Sequence, residues 1–551
     1  MTENVAHSVF AIPELLLLVS AHLDLDDLTH CVKVCRDWKH QLEPILWTDF
    51  CLDRRLVESL DNTLAPPLKA ALVRNLPHIK TINVSVASGT LLQALAIGST
   101  ISTTTRSDPS CSNLTRLEID DAVPTAISKL VNLQHLSVHS IDECEDTDAM
   151  TLLLQACLRL PNLTELHIDM ELTWSDEPDI SGLKAVIDEA SRARFSHSTG
   201  GTKVKSLRLP SDQGDPSPLP FLLFQSNLLE LESCEIPLFD PATDPVELEQ
   251  MVQKSCSKLK RLTCPSLMDH EECAPAVCAF IRGCSGIEIF DSQNFYDYDT
   301  DGYIDPAYVI ETLVEHHSSS LKDFGLVDCY YALSGDQQAV LSQCKQLKRF
   351  WVKDAYTEFS SVGIQFTDIW RSDWVCMELT TLGLVLNRQP TDDDAFGELE
   401  DEEGDQEEEG AEEGGSRESE SEEDRKMRLI SIAAKSVYTR IGRLQKLEVL
   451  ALSIDISQDT AAEEKDYAWD LTLSKGWLGE MAGLKNLKTL MLHAAFWSKM
   501  GQAEVEFMHE RWPLLSAIYF NGNASTVQAQ PHWQWLRSQR PHLLYNYQFM
   551  L

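Results

Sequence analysis

Alternating carboxylates in one short segment are the residues most suggestive of chemistry. Asp297, Asp299 and Asp301 lie two residues apart, and a glycine follows them directly. Calcium-binding loops use this pattern, because hard oxygen ligands lie on alternate residues and the glycine allows a sharp turn. The twelfth position of such a loop carries a bidentate glutamate, and here it is Tyr308. Because that carboxylate is missing, the sequence favours an ordinary polar loop at 297–308, with calcium binding as the minor alternative.

No other motif indicates catalysis or a bound cofactor. The sequence lacks the glycine-rich phosphate and dinucleotide loops, the G-x-S-x-G elbow of serine hydrolases and the H-E-x-x-H zinc motif. Its 15 cysteines form no C-x-x-C pair, so neither a zinc site nor a disulfide framework is indicated. We therefore predict a protein without catalytic residues, metal or cofactor.

The charge balance limits the classes of partner. The chain of 551 residues has 86 acidic against 46 basic side chains and a net charge of -40. Such an excess repels nucleic acid and anionic membrane surfaces. No window has the ~18 uninterrupted apolar residues of a membrane span, and the apolar run at 15–19 is too short for a secretion signal. We expect a protein of the cytoplasm, the nucleus or both.

One segment is far more acidic than the rest. Residues 392–424 contain 19 Asp or Glu and a single basic residue, Arg417. Dense like charge with few apolar residues cannot bury enough surface to offset the entropy of ordering. We predict a disordered acidic loop at 392–424.

An apolar frame of the form L-x-x-L-x-L recurs through most of the remaining chain. Its last positions alternate, as in a strand with one buried face. Asparagine directly precedes five copies, as in N-L-T-R-L at Asn113 and N-L-K-T-L at Asn486. A cysteine lies three residues before several of the copies, and we predict that Cys111, Cys256, Cys284 and Cys344 are buried for this reason. The fourteen copies begin at Ile79, Leu114, Leu133, Leu163, Val204, Leu228, Leu259, Ile287, Leu321, Leu347, Leu379, Leu447, Leu487 and Leu515.

These copies resemble leucine-rich repeats, in which each unit is a strand, a loop and a helix. The resemblance implies an α/β solenoid, or horseshoe, over residues 76–530. We predict helices between the strands, for example at 151–159, 245–254 and 306–316. The aromatic-rich residues 531–551 are predicted to cap the last repeat.

The acidic loop fits within one repeat. Most intervals between copies span 19 to 41 residues, whereas the interval from Leu379 to Leu447 spans 68. Removing the 33 residues of 392–424 leaves an interval of 35. We therefore predict an insertion in a loop, where added length costs little closure entropy.

The amino-terminal segment predicts three short helices. Pro13 can open the first helix, Asp24 or Asp26 can cap the second, and the third runs from about Val34 to Leu42. The segment holds more apolar residues than one small core can hide. The excess implies a partner surface or contact with the repeats.

This amino-terminal segment resembles an F-box. The matching residues are I-P-E-L from Ile12, L-D-L-D-D-L from Leu23, V-C-R-D-W from Val34 and P-I-L-W from Pro44. An F-box at 10–50, a helical linker at 51–75 and leucine-rich repeats beyond are similar to the substrate receptors of fungal and animal SCF ubiquitin ligases.

The resemblance implies that the F-box binds a Skp-family adaptor, which tethers the chain to a cullin scaffold, and that the repeats hold a protein substrate. The sequence does not divide adaptor contacts from the small core that supports them. The residues expected in one role or the other are Ile12, Pro13, Leu15, Leu16, Leu23, Leu28, Val34, Cys35 and Trp38.

Basic residues recur between the inward leucines of the middle repeats, a position that lines the concave sheet of a solenoid. Arginine and lysine pair with carboxylate or phosphate, and tryptophan supplies an apolar anchor. The hypothesis is a stripe that binds an acidic or phosphorylated substrate segment, and the alternative is an ordinary solvated surface. The stripe comprises Lys205, Arg208, Lys260, Arg261, Lys322, Lys348, Arg349 and Trp351.

Two classes of function remain open at this point. The first is a non-catalytic substrate receptor of a cullin-RING ubiquitin ligase. The alternative is an acidic leucine-rich-repeat protein that holds histones or other basic partners through 392–424, as a chaperone or inhibitor would. A calcium-regulated scaffold is a third hypothesis, and it depends on 297–308 alone.

Overall fold

The structure is a computed structural model with two compact units, Met1–Leu259 and Lys260–Leu551, which are considered separately. Helices, strands and side-chain contacts refer throughout to the residues that the structure describes. These are residues 13–52, 71–72, 74–84, 113–119, 127–128, 130–140, 147–170, 185, 203–209, 223–224, 228–236, 239–264, 271–293, 306–327, 334–353, 373–386, 422–454, 471–474, 477–520 and 530–546.

The first unit begins with three helices and continues as a parallel sheet in which each strand pairs with the next. Its helices are α1 (Pro13–Ser20), α2 (Leu25–Cys31), α3 (Arg36–Leu46), α4 (Thr147–Arg159) and α5 (Pro245–Ser255). Its strands are β1 (Asp49–Leu52), β2 (Thr81–Val84), β3 (Arg116–Ile119), β4 (His135–Ser140), β5 (Glu165–Met170), β6 (Ser206–Arg208) and β7 (Ser233–Glu235).

The second unit is also a parallel sheet with helices between its strands. Its strands are β8 (Arg261–Cys264), β9 (Ile289–Gln293), β10 (Asp323–Val327), β11 (Arg349–Lys353), β12 (Thr381–Leu386), β13 (Val449–Ile454), β14 (Thr489–Leu492), β15 (Ala517–Phe520) and β16 (Leu544–Asn546). Its helices are α6 (Ala274–Gly283), α7 (Pro306–His317), α8 (Ser334–Gln343), α9 (Glu422–Arg443), α10 (Trp477–Glu480), α11 (Ala494–Trp497), α12 (Gln502–Arg511) and α13 (Pro531–Gln539).

Side chains alternate between the two faces of each strand, and those on one face form the core. The middle apolar residue of each repeat is buried, and equivalent residues of neighbouring strands pack side by side. In the second unit Phe290, Phe324 and Phe350 form a stacked ladder with ring centroids 5.8 and 5.5 Å apart. The α/β repeat arrangement expected from the apolar frame is therefore confirmed.

The recurring asparagines join one repeat to the preceding one. Asn162 Nδ2 donates to the Val131 carbonyl at 3.1 Å, and Asn486 Nδ2 donates to the Gln445 carbonyl at 2.8 Å. A side-chain amide at this position satisfies a turn carbonyl that no strand pairs. The N-L phrase in the sequence is thus a structural signal.

The frame predicts where strands start, with one error. In thirteen of the fourteen copies the strand begins two residues after the first apolar residue. The copy placed at Leu228 is wrong by three residues, because β7 begins at Ser233 and pairs with Ser206. The three apolar positions of the copy that contains β7 are Leu231, Cys234 and Ile236, all of which are buried. A cysteine fills the middle leucine position and hides the true register.

The ends of the array and several helix limits also differ from expectation. Strand β1 includes the first two residues of the predicted linker at 51–75, and β16 adds a strand within the predicted cap at 531–551. The helix expected at 151–159 begins at Thr147, four residues earlier. Helix α9 begins at Glu422 and so includes the last three residues of the predicted acidic loop.

The cysteines in register with the repeats are structural. Cys256, Cys284 and Cys344 are buried, as predicted, and Cys111 lies outside the described residues. Burial raises the pKa of the Cys256 and Cys344 thiols to about 12, since the thiolate cannot be solvated there. They are therefore unreactive core residues. No helix in the described part of the chain is long and apolar enough to cross a membrane.

Candidate functional site

The amino-terminal helices share one small core. Leu16, Leu28 and Leu42 are buried against one another, one from each of α1, α2 and α3. The Asp24 side chain caps α2 by accepting from the Asp27 amide at 2.8 Å. The side chains packed around this core are Leu23, Cys31, Val32, Trp38, Ile45 and Leu46.

Apolar side chains outside this core face solvent. Over residues 15–20 of α1, where burial is described, Leu16 and Ser20 are buried and lie four residues apart, and the apolar side chains between and before them are exposed. Leu18 is 63% exposed, and Val34, in the turn before α3, is 65% exposed. We call the five exposed side chains together the N-terminal apolar surface, and they are Leu15, Leu17, Leu18, Val19 and Val34.

The predicted adaptor residues differ in burial. Leu16 and Leu28 are core residues, and Leu23 and Trp38 are half-buried against that core. Cys35 is exposed and its sulfur accepts from the Trp38 amide at 3.5 Å, so it caps α3. The remaining predicted adaptor residues are Leu15 and Val34, which are exposed, Pro13, which is the first residue of α1, and Ile12, which lies outside the described residues.

The sequence analysis missed Leu17, Leu18 and Val19. Four consecutive leucines give no helical periodicity, so the pattern alone cannot identify the buried one. Their exposure could have been predicted from the excess of apolar residues in this eight-residue helix. Only one face of the helix can be buried against α2 and α3, so some of its apolar side chains must be exposed.

A second group of candidate side chains lies on the sheet of the second unit. Residues at one level of β8 to β15 are in register and share the face opposite the phenylalanine ladder. We call this the Trp351 face, and its aligned residues are Thr263, Asp291, Gly325, Trp351, Gly383, Ala451, Met491 and Tyr519.

Arg349 of the predicted basic stripe lies on this face and is already paired. Its guanidinium contacts Asp291 at 2.6 Å and also pairs with Asp323. The Arg349 side chain crosses β10 above Gly325 to reach Asp291. The glycine leaves room for this contact, because a Cβ at position 325 would lie 2.5 Å from Asp291 Oδ1. Burial raises the pKa of Asp323, and the neighbouring Arg349 opposes that shift. The group is a fixed ion-pair network.

The lysines of the predicted stripe lie at the edge of the sheet, just before the strands. Lys260 and Lys322 both contact Glu288 at 2.6 Å. Their hydrogen bonds lower the pKa of Glu288 to about 2, so the carboxylate is charged at neutral pH. Arg261 and Lys348 are exposed and form no direct ion pair among the described residues, although the positive charge of Arg261 acts to lower the pKa of Asp323.

Trp351 packs sideways along the face. It forms a cluster with Ala451 and Met491, against which Val449 and Tyr519 pack. We call these five residues the Trp351 cluster. Its neighbour Gly383 leaves room for the ring, because a Cβ there would lie 2.8 Å from a ring carbon.

Lys205 and Arg208 of the predicted stripe belong to the first unit. Lys205 Nζ lies 3.0 Å from Glu232 Oε1, and Arg208 pairs with the buried carboxylate of Glu235. Both positive charges are thus balanced locally. The stripe predicted as one surface is divided between the two units and is largely neutralised by carboxylates.

The first unit also carries a histidine group that the sequence analysis missed. His135 Nδ1 lies 2.6 Å from Glu165 Oε2, while Ser137 Oγ lies 2.7 Å from His139 Nε2 and 3.1 Å from His167 Nδ1. These residues meet because β4 and β5 pair in register, although 30 residues separate the partners in the sequence. The group forms a polar network that ties the two strands together.

Metal binding gains no support from the described residues. Within them, no group of three His, Cys, Asp or Glu side chains could hold a metal ion. The candidate calcium ligands at 297–305 and most of the acidic loop, 392–421, lie outside the described residues. Pro306 and Tyr308 belong to α7.

Comparison with known proteins adds little. No protein-family model matches the chain, and no curated protein matches it. Among solved structures it is similar to the leucine-rich repeat-containing protein LegL7 from Legionella pneumophila, at 12% identity and a TM-score of 0.26. That match covers 61% of this chain and 100% of the other. The description of the chain as an α/β protein of repeated strands and helices comes from its own strand register and repeat pattern.

Proposed function

We propose that this protein is a non-catalytic substrate receptor of an SCF-type cullin-RING ubiquitin ligase. In this proposal the amino-terminal helices are an F-box that binds a Skp-family adaptor, and the repeats bind the target protein. The adaptor brings the cullin scaffold, and ubiquitin transfer belongs to other subunits. The protein acts in the cytoplasm or the nucleus.

The N-terminal apolar surface is the observation that carries this proposal. Four large apolar side chains of α1 and Val34 in the turn before α3 face water, while Leu16, Leu28 and Leu42 form the core of the three helices. Large apolar side chains exposed in such number favour a binding site for another protein. The F-box resemblance names the class of partner, and these exposed side chains supply the apolar contacts that such a partner needs.

Titration calorimetry of the full chain with a purified Skp-family adaptor of the same organism tests the proposal. We expect a complex of one to one stoichiometry. Replacing Leu18 or Val34 by aspartate should weaken it at least about tenfold, since central apolar anchors carry most of the binding energy of an interface. The matched control is Val246→Asp, because Val246 is also an exposed valine, with 62% exposure, on a different helix.

Two results would contradict the proposal. One is the absence of any heat of binding with the adaptor. The other is equal weakening by all three variants. The alternative is an acidic histone-binding protein, supported by the 19 carboxylates of 392–424. It predicts a salt-sensitive histone complex that needs 392–424 and is unaffected by Leu18→Asp. Observing such a complex would favour the alternative.

A further inference from the structure

The turn that presents Val34 also carries exposed positive charge. Lys33 precedes Val34 directly, and Arg36 and Lys39 follow it at the start of α3. All three basic side chains are exposed, and within the described parts of the chain none of them forms an ion pair. We call Lys33, Arg36 and Lys39 the basic group. Its position beside an exposed valine is notable in a chain whose net charge is -40.

The carboxylates near the basic group do not balance its charge. Residues 33–40 hold three basic side chains and one acidic side chain, Asp37, so their net charge is +2 with neutral histidine. Glu43, the next acidic residue of α3, lies 3.6 Å from Arg74 and pairs with it. The acidic first turn of α2 lies at the end of that helix away from the Val34 turn. Positive charge is therefore concentrated where Val34 is exposed.

The stability of α3 does not explain these cations. Arg36 is the first residue of the helix and Lys39 is the fourth. The start of a helix carries partial positive charge, so basic residues there are unfavourable and acidic residues are favourable. The residues of α3 that pack in the small core include Trp38 and Leu42, and the basic group takes no part in that cluster. Residues that break a local rule without a gain in stability are expected at functional sites.

We propose that the basic group is the electrostatic part of the adaptor contact, and that the adaptor meets it with an acidic surface beside the apolar surface that covers Val34. This inference rests on the proposed function, because it describes the partner of the N-terminal apolar surface. Protein interfaces combine an apolar centre with a polar rim, and rim charges govern the association rate. Val34 belongs to the centre, and Lys33, Arg36 and Lys39 form part of the rim.

Screening by salt lets the local charge outweigh the net charge of the chain. At physiological ionic strength the Debye length is about 8 Å, so more distant exposed charges are largely screened. Successive turns of a helix are about 5.4 Å apart, and Arg36 and Lys39 lie on neighbouring turns. An approaching acidic surface therefore meets the basic group together, while most of the acidic residues of the chain act weakly on it.

Association kinetics of the full chain with a purified Skp-family adaptor of the same organism test the inference. We expect the double variant Arg36→Glu, Lys39→Glu to associate about tenfold more slowly than the wild type at about 0.05 M salt, and less than about threefold more slowly at about 0.5 M salt. The matched control Lys254→Glu, Lys345→Glu changes the net charge equally at exposed positions elsewhere. It should associate within about twofold of the wild-type rate.

Thermal melts of the same variants separate a binding role from a structural one. Glutamate is favourable at the start of a helix, so Arg36→Glu, Lys39→Glu should leave the melting temperature unchanged or raise it. A variant that melts no lower than the wild type and yet associates more slowly has lost a contact with the partner. A clear fall in the melting temperature would overturn the inference, because it would make the basic group part of the fold.

Chemical cross-linking tests the acidic nature of the partner surface. A carbodiimide joins a lysine amine to a carboxylate that touches it, and mass spectrometry then locates the linked residues. We expect Lys33 or Lys39 to be joined to an Asp or Glu of the adaptor. Cross-links that join the adaptor only to other lysines of the chain would overturn the inference.

The outcomes distinguish this inference from the proposed function. Equal association rates of the wild type and the double variant at about 0.05 M salt overturn the inference alone, because the complex still forms and Leu18→Asp still tests the apolar contact. The absence of any complex with the wild type overturns both, since the inference describes a surface of that adaptor.

Discussion

Replacing Gly383 by alanine tests whether the Trp351 ring lies flat against β12. The added Cβ would lie 2.8, 2.9 and 3.2 Å from three ring carbons of Trp351. Carbon atoms in contact are about 3.5 to 4.0 Å apart, so the ring would have to move. Ala451 and Met491 pack against it and resist that movement.

The expected loss follows from two opposing effects. Overpacking of a close contact costs about 1 to 3 kcal/mol. Removing the flexibility of glycine from the unfolded chain stabilises the fold by about 0.4 to 1 kcal/mol. We expect Gly383→Ala to lower the free energy of unfolding by about 1 to 2 kcal/mol, which guanidinium denaturation followed by circular dichroism measures.

A double-mutant cycle with Trp351→Ala assigns the loss to the ring. Once the ring is absent, Gly383→Ala should be neutral or stabilising. Gly335→Ala is the matched control, because a Cβ at Gly335 would meet no atom within 4 Å. The reasoning is refuted if Gly383→Ala costs the same in both backgrounds or costs nothing in the wild type.

Three further predictions concern packing, protonation and thiol reactivity. Leu16→Ala should lower the free energy of unfolding by about 2 to 5 kcal/mol, whereas Leu18→Ala should leave it within about 0.5 kcal/mol, as thermal melts would show. Burial lowers the pKa of His317, so the unfolded chain binds more protons than the folded chain once the pH falls to about 6.5. The free energy of unfolding should therefore decrease as the pH is lowered from about 7.5 to 5.5 in about 0.3 M salt, and it should decrease less in His317→Gln. A pH-independent stability would contradict this. Iodoacetamide should label exposed Cys35 in the native protein and reach Cys256 only after unfolding, which mass spectrometry detects.

Much of the fold could be predicted because each repeat carries its own local signals. The alternating apolar frame fixes the strands, and prolines and acidic caps such as Pro245 after Asp244 fix helix starts. The prediction failed at β7, where Cys234 replaces the expected leucine and an upstream leucine triplet imitates the frame. A single apolar substitution is enough to move a short pattern by three residues.

The candidate sites were less predictable because they depend on contacts between distant residues. Arg349 and Asp291 lie 58 residues apart in the sequence and meet only through the register of β9 to β11. The residue types predicted a basic stripe, but the carboxylates that neutralise it become neighbours only in the folded sheet. On α1 a run of leucines conceals which side chain is buried, and packing against α2 and α3 decides it.

Co-purification from the native cell tests the central claim most directly. A tagged full chain and its double variant Leu18→Asp, Val34→Asp are expressed at equal levels, and the recovered Skp-family adaptor and cullin are quantified by mass spectrometry. The proposed function predicts about equimolar adaptor with the wild type and a loss of at least about tenfold with the variant, since these two residues are placed as anchors of the contact. Equal recovery with both chains, or no adaptor with either, would contradict it.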